Sequence, residues 1–233
     1  MKITRSTWYS LVYIAPLVFI YEVLAIVVNW NSSGPELRNG ADILVRFFFK
    51  IFGLSTPYIT ALILLVALAL VWYFHVRQHG SHHVSGSLLG LMLIESCVWA
   101  IVLLVVLAVT DNLLMLNTAD EALAAAYLAV GAGLYEEAVF RLLLVSGLAL
   151  FFIKVMLWKN FLAWAVAVMI GAMLFSLFHF IGLSDEVFAW NTFVYRGVGG
   201  ALLGTLYISR GFGITVYAHT IYDLLVLTIR TVN

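Results

Sequence analysis

Apolar runs of bilayer-spanning length recur from one end of this 233-residue chain to the other, and they leave very few folds open to it. Most approach or exceed the ~18 residues that a helix needs to cross the hydrocarbon core. Hydrophobic residues make up 64% of the chain and charged residues 10%, with a mean hydropathy of +1.07, far from the composition of a soluble domain. The pattern predicts an all-α, polytopic transmembrane helical bundle. Seven spans are expected, near 7–28, 57–74, 88–109, 122–156, 161–183, 193–208 and 214–229, and the length of 122–156 leaves room for an eighth.

The first run follows Lys2 and Arg5 as a signal peptide would, but it is longer than the ~7–15 apolar residues of a signal core. Trp8 and Trp30 bracket it like interfacial anchors, so it reads as a membrane helix. A polar turn over 31–42 then leads to 43–52, where Arg46 and Lys50 sit among four phenylalanines, the pattern of an interfacial helix. Gly131 and Gly133 offer a bend in the fourth run. Gly200 and Gly204, four apart, permit close helix packing in the sixth. Two regions follow: residues 1–121 as amino-terminal membrane helices with the interfacial helix, and 122–233 as a four-helix core. With seven spans and the amino terminus inside, Lys2, Arg5, Arg77, Lys154, Lys159 and Arg210 are cytoplasmic, against Arg38, Arg46, Lys50 and Arg230 outside. A net charge of zero offers no basic field for nucleic acid, and a single cysteine, Cys97, builds neither a disulfide nor a thiolate metal site.

Charges inside apolar runs carry the functional signal, because each costs at least ~2.5–3.5 kcal/mol at the bilayer centre. The last four runs gather Glu136, Glu137 and Arg141 in the fourth, His179 near the end of the fifth, and His219 with Asp223 in the seventh. On an α-helix Glu137 and Arg141 share a face and can pair, while Glu136 is turned about 100° from Glu137. His219 and Asp223 also share a face. Antiparallel neighbours bring the start of the fourth run beside the end of the fifth, and so Glu136 beside His179.

Glu136-Glu137-Ala138-Val139-Phe140-Arg141 resembles the E-E-x-x-x-R motif of the CAAX-protease and bacteriocin-processing family. Phe175 to His179 resembles its F-x-x-x-H and His219 to Asp223 its H-x-x-x-N/D. The resemblance covers roughly 134–229. It implies a glutamate-dependent intramembrane endopeptidase acting on a membrane-associated protein or peptide, at a C-terminal motif, a leader or a sorting signal. It further implies that Glu136 and His179 activate water, that His219 and Asp223 stabilise the oxyanion, and that Glu137 and Arg141 hold the geometry. Two positions depart from the family pattern: Asp223 stands where many members have Asn, and an ionised Asp cannot donate a hydrogen bond. Leu142 stands where a glycine often follows the arginine.

Other chemistries compete. Glu136, His179 and His219 are also ligand types for zinc, although H-E-x-x-H is missing and no cofactor is expected. His75, His79, His82 and His83 form a histidine-rich loop. A catalytically silent membrane scaffold of the same fold and an ion- or proton-coupled transporter both accommodate buried carboxylates and histidines. The partners expected are the substrate and the lipid bilayer, in the cell (inner) membrane, with no nucleic acid. Arg196 is expected to snorkel from near the start of its span, whereas Glu22 and Glu95 lie deep with no assigned partner. Asn31-Ser32-Ser33 is a glycosylation sequon in a secretory-pathway organism.

Overall fold

A computed structural model describes residues 6–30, 34, 36–54, 59–79, 84–108, 119–181 and 187–232, and every regular element among them is helical. The elements are α1 (Thr7–Asn29), α2 (Gly40–Ile51), α3 (Ile59–His79), α4 (Gly86–Ala108), α5 (Ala119–Gly131), a π-helical segment (Ala132–Val145), α6 (Ser146–Lys154), α7 (Asn160–Phe178), α8 (Trp190–Arg210) and α9 (Phe212–Val232). Lys2, Arg5, Asn31-Ser32-Ser33, His82, His83, Asp111, Asp185 and Glu186 lie outside the described residues.

Among the described residues, four helices are long and apolar enough to cross a membrane: Thr7–Asn29, Gly86–Leu107, Asn160–Phe178 and Phe212–Ile229. The outer faces of the first three carry large apolar side chains such as Phe19, Ile94, Ile101, Val105 and Met169, as a surface in lipid requires. α8 is less apolar because Asn191, Arg196, Arg210 and four glycines dilute it, and the π-helical segment carries Glu136, Glu137 and Arg141. α2 differs in kind, with Leu44, Phe47, Phe48 and Ile51 exposed on one stripe and Asp42 buried on the other.

α9 is the hub. It packs against α1, α4, α5, α8 and the π-helical segment, and Ile214, Thr215, Val216, Ala218, His219 and Thr220 are all buried. α8 turns into α9 through Gly211 alone, whose φ of 92° suits glycine and strains other residues. The boundary drawn after residue 121 falls inside α5, and α1 and α4 pack on α9 across it.

The fourth run continues without a break through α5, the π-helical segment and α6, with Gly131 at φ −61° and ψ −41° and Ser146 at φ −66° and ψ −40°. Gly131 and Gly133 make room for close neighbours; a Cβ on Gly133 would stand 1.9 Å from Thr220 Oγ1 and 2.8 Å from the Val216 carbonyl oxygen. Two expectations need correction. The interfacial helix begins three residues earlier than read, at Gly40, because Asn39 caps it, accepting from the Ala41 N–H at 2.9 Å. The residues His75 and His79 belong to the last turns of α3 and not to a loop. Gly200 and Gly204 do permit close packing, of α8 against Ala172 and Val168 of α7.

Candidate active site

The π-helical segment, wound i→i+5 rather than i→i+4, is the first unusual feature of the site, and such windings concentrate at functional positions. It places Glu136 and Glu137 in the core, at 6% and 0% exposure. Glu137 Oε1 forms an ion pair with Arg141 Nη1 at 2.9 Å and accepts from His219 Nδ1 at 2.7 Å. Arg141 also donates to the Gly200 carbonyl at 3.3 Å, and its guanidinium lies 4.4 Å from the centre of the Phe175 ring. Glu137 thus joins three elements: its own segment, α9 through His219 and α8 through Arg141.

His179 is the C-cap residue of α7, one step past its last helical residue. Its Nδ1 lies 2.9 Å from the Phe175 carbonyl, which only accepts, so Nδ1 carries the hydrogen and Nε2 faces the cavity. Nε2 stands 3.9 Å from Glu136 Oε2, beyond direct hydrogen-bond range. The Phe175 ring packs edge-on against His179 at 5.0 Å and His219 at 6.3 Å. On α9, His219 Nδ1 donates to Glu137, which turns Nε2 towards Asp223 Oδ2 at 3.5 Å.

Glu136, His179, His219 and Asp223 line one cavity of about 400 Å³. His179 and Asp223 are about one quarter exposed at its open side, while Glu136 and His219 lie deeper. Tyr195 and Tyr222, hydrogen-bonded to each other, share the wall. So does Arg196, whose guanidinium lies 5.5 Å from the centre of the Phe180 ring, just past the end of α7. Among the described residues no three His, Cys, Asp or Glu side chains are arranged to hold a metal ion.

A family model, Type II CAAX prenyl endopeptidase Rce1-like, matches residues 99–225, more than half of the chain. The chain belongs to this family. Family membership makes it an integral membrane protein of a protease family, with a protein substrate met in the membrane. The match opens inside α4 and closes just past Asp223, so it takes in every motif residue. No curated protein and no solved structure matches the chain.

Three contacts escaped the sequence. Asn39, outside both the motifs and the family match, donates from Nδ2 to Glu136 Oε1 at 3.0 Å and lines the cavity. Its position before a helix, with Asp42 three residues on, is an N-cap signature that could have been read. Glu22 lies 3.8 Å from Arg46, and Glu95 pairs with Arg210. No local spacing announces either pair.

Proposed function

We propose that this protein is an intramembrane endopeptidase of the glutamic type, which hydrolyses a peptide bond of a membrane-associated protein or peptide with water held between Glu136 and His179. The observation that carries this reading is the 3.9 Å separation of Glu136 Oε2 and His179 Nε2, two acceptors facing each other in a polar cavity inside an apolar bundle. They cannot bond directly, but one water can donate a hydrogen to each, leaving its oxygen lone pairs towards the cavity. As that oxygen attacks the scissile carbonyl carbon, Glu136 takes one proton. It returns the proton to the amine when the C–N bond breaks, so the carboxylate is regenerated.

The negative charge on the carbonyl oxygen falls to His219 Nε2 and Asp223. A hydrogen on His219 Nε2 supplies the donor that an ionised Asp lacks, with Asp223 Oδ2 3.5 Å away to offset the charge of the doubly protonated ring, and such a donor contributes about 2.7–4 kcal/mol to the transition state. Glu137 and Arg141 keep the His219 ring in place. Helices other than α2 would give seven crossings of the cell (inner) membrane, with α2 at the interface.

The test uses reporter peptides carrying a prenylated C-terminal motif, a leader or a sorting signal, presented to the protein in proteoliposomes. Glu136→Gln keeps shape but loses basicity, so cleavage should fall at least ~10²-fold with folding retained, and His179→Ala should do similar damage. Full activity in Glu136→Gln would end the glutamate mechanism. Loss on chelation with recovery on added zinc would move the protein to metal catalysis. Cleavage of none of the reporters by the wild type would favour a silent scaffold.

A further inference from the structure

Asn39 comes from the loop before α2, 97 residues along the chain from Glu136, yet it touches the carboxylate at the heart of the cavity. We propose that Asn39 is a positioning residue for Glu136, and that the amino-terminal end of α2 is the mount that holds it there. This rests on the reading of Glu136 as the base.

The orientation of the Asn39 amide is fixed by chemistry. A backbone N–H only donates, so the 2.9 Å bond from the Ala41 N–H identifies Oδ1 and leaves the amide nitrogen to face Glu136 Oε1 at 3.0 Å. A glutamate carboxylate otherwise turns about a broad terminal torsion. With Oε1 held by Asn39, Oε2 is the oxygen presented to His179. The amide therefore selects which oxygen works and holds the plane of the base.

Space is reserved for this contact. A Cβ on Gly131 would stand 2.9 Å from the Asn39 Cβ and 2.7 Å from Tyr21 Cε2, so only glycine lets α5 pass there without a shift. The mount is anchored independently of the exposed apolar stripe of α2. Asp42, three residues beyond Asn39 and fully buried, accepts from Tyr21 at 2.8 Å, from Arg38 at 3.2 Å and from Arg46 at 2.7 Å. Tyr127 of α5 donates in turn to the Tyr21 hydroxyl at 3.1 Å, which ties the mount to the helix that leads into Glu136.

The experiment separates the donor from the cap. Asn39→Asp keeps a cap acceptor and loses the donor to Glu136; Asn39→Ser also keeps the cap, but its hydroxyl is too short to reach. Cleavage of a farnesylated C-terminal reporter peptide is measured for the wild type, Glu136→Gln, Asn39→Asp, Asn39→Ser and Asn39→Ala. Both cap-retaining variants should lose about 10- to 100-fold in kcat with KM unchanged, the scale expected for a misplaced catalytic group. Wild-type kcat in both, beside an inactive Glu136→Gln, overturns the role of Asn39 and leaves Glu136 as the base. Full activity in Glu136→Gln overturns both. A second measurement needs no substrate: the melting temperatures of Asn39→Ser, Glu136→Ala and the double variant. Direct contact requires the double variant to lose several degrees less than the sum of the single losses, and additive losses would overturn the contact.

Discussion

Two fully buried carboxylates, Glu137 and Asp42, are held in opposite ways. Asp42 uses both oxygens, Oδ2 towards Tyr21 and Arg38 and Oδ1 towards Arg46, so three side chains share its charge. Glu137 takes Arg141 and His219 on Oε1 alone, and Oε2 has no hydrogen-bond partner. A saturated carboxylate with two arginines tolerates the loss of one, whereas a carboxylate with a single guanidinium does not. The first arrangement suits an anchor. The second suits a site in which one histidine ring must be held in a fixed orientation, at the cost of an unsatisfied oxygen.

The sharpest way to break the contrast is to remove cations. Arg141→Ala should destabilise the protein by about 3–5 kcal/mol, because it leaves Glu137 buried without its guanidinium. Thermal unfolding in detergent measures this, and a wild-type melting temperature would remove Arg141 from the structural account. Gly133→Ala comes next, at about 1–3 kcal/mol for overpacking against Thr220 and Val216, with loss of peptide cleavage as Glu136 and Glu137 shift. At the other carboxylate, Tyr21→Phe should cost about 2 kcal/mol, the value of the two hydrogen bonds its hydroxyl makes to Asp42 and Tyr127, since Arg38 and Arg46 still hold Asp42. If it matched Arg141→Ala in the same unfolding measurement, the sharing of charge around Asp42 would be an illusion.

The same contrast explains what could be read in advance. Glu137 and Arg141 lie four apart, as do Phe175 and His179, and His219 and Asp223, so each motif announces itself on one helix. Periodicity and run length gave the helical architecture for the same reason, since both are local. Asn39 meets Glu136 across 97 residues and Glu95 meets Arg210 across 115, and no spacing rule reaches that far. The π winding was hidden too. Nothing in the helix propensities of its residues marks i→i+5 bonding in the segment that packs against α9 and α7.

The cavity draws on residue 39 and on residue 223, and a ribosome does not deliver these together. At ~5–20 residues per second, translation separates them by on the order of ten to forty seconds. Through that interval the nascent chain carries the mount on α2 while His219 and Asp223 have yet to be made. The polar pocket closes only when α9 enters the bundle. The arrival of α9 is therefore the event that completes the pocket, and a product that stops short of it lacks His219 and Asp223.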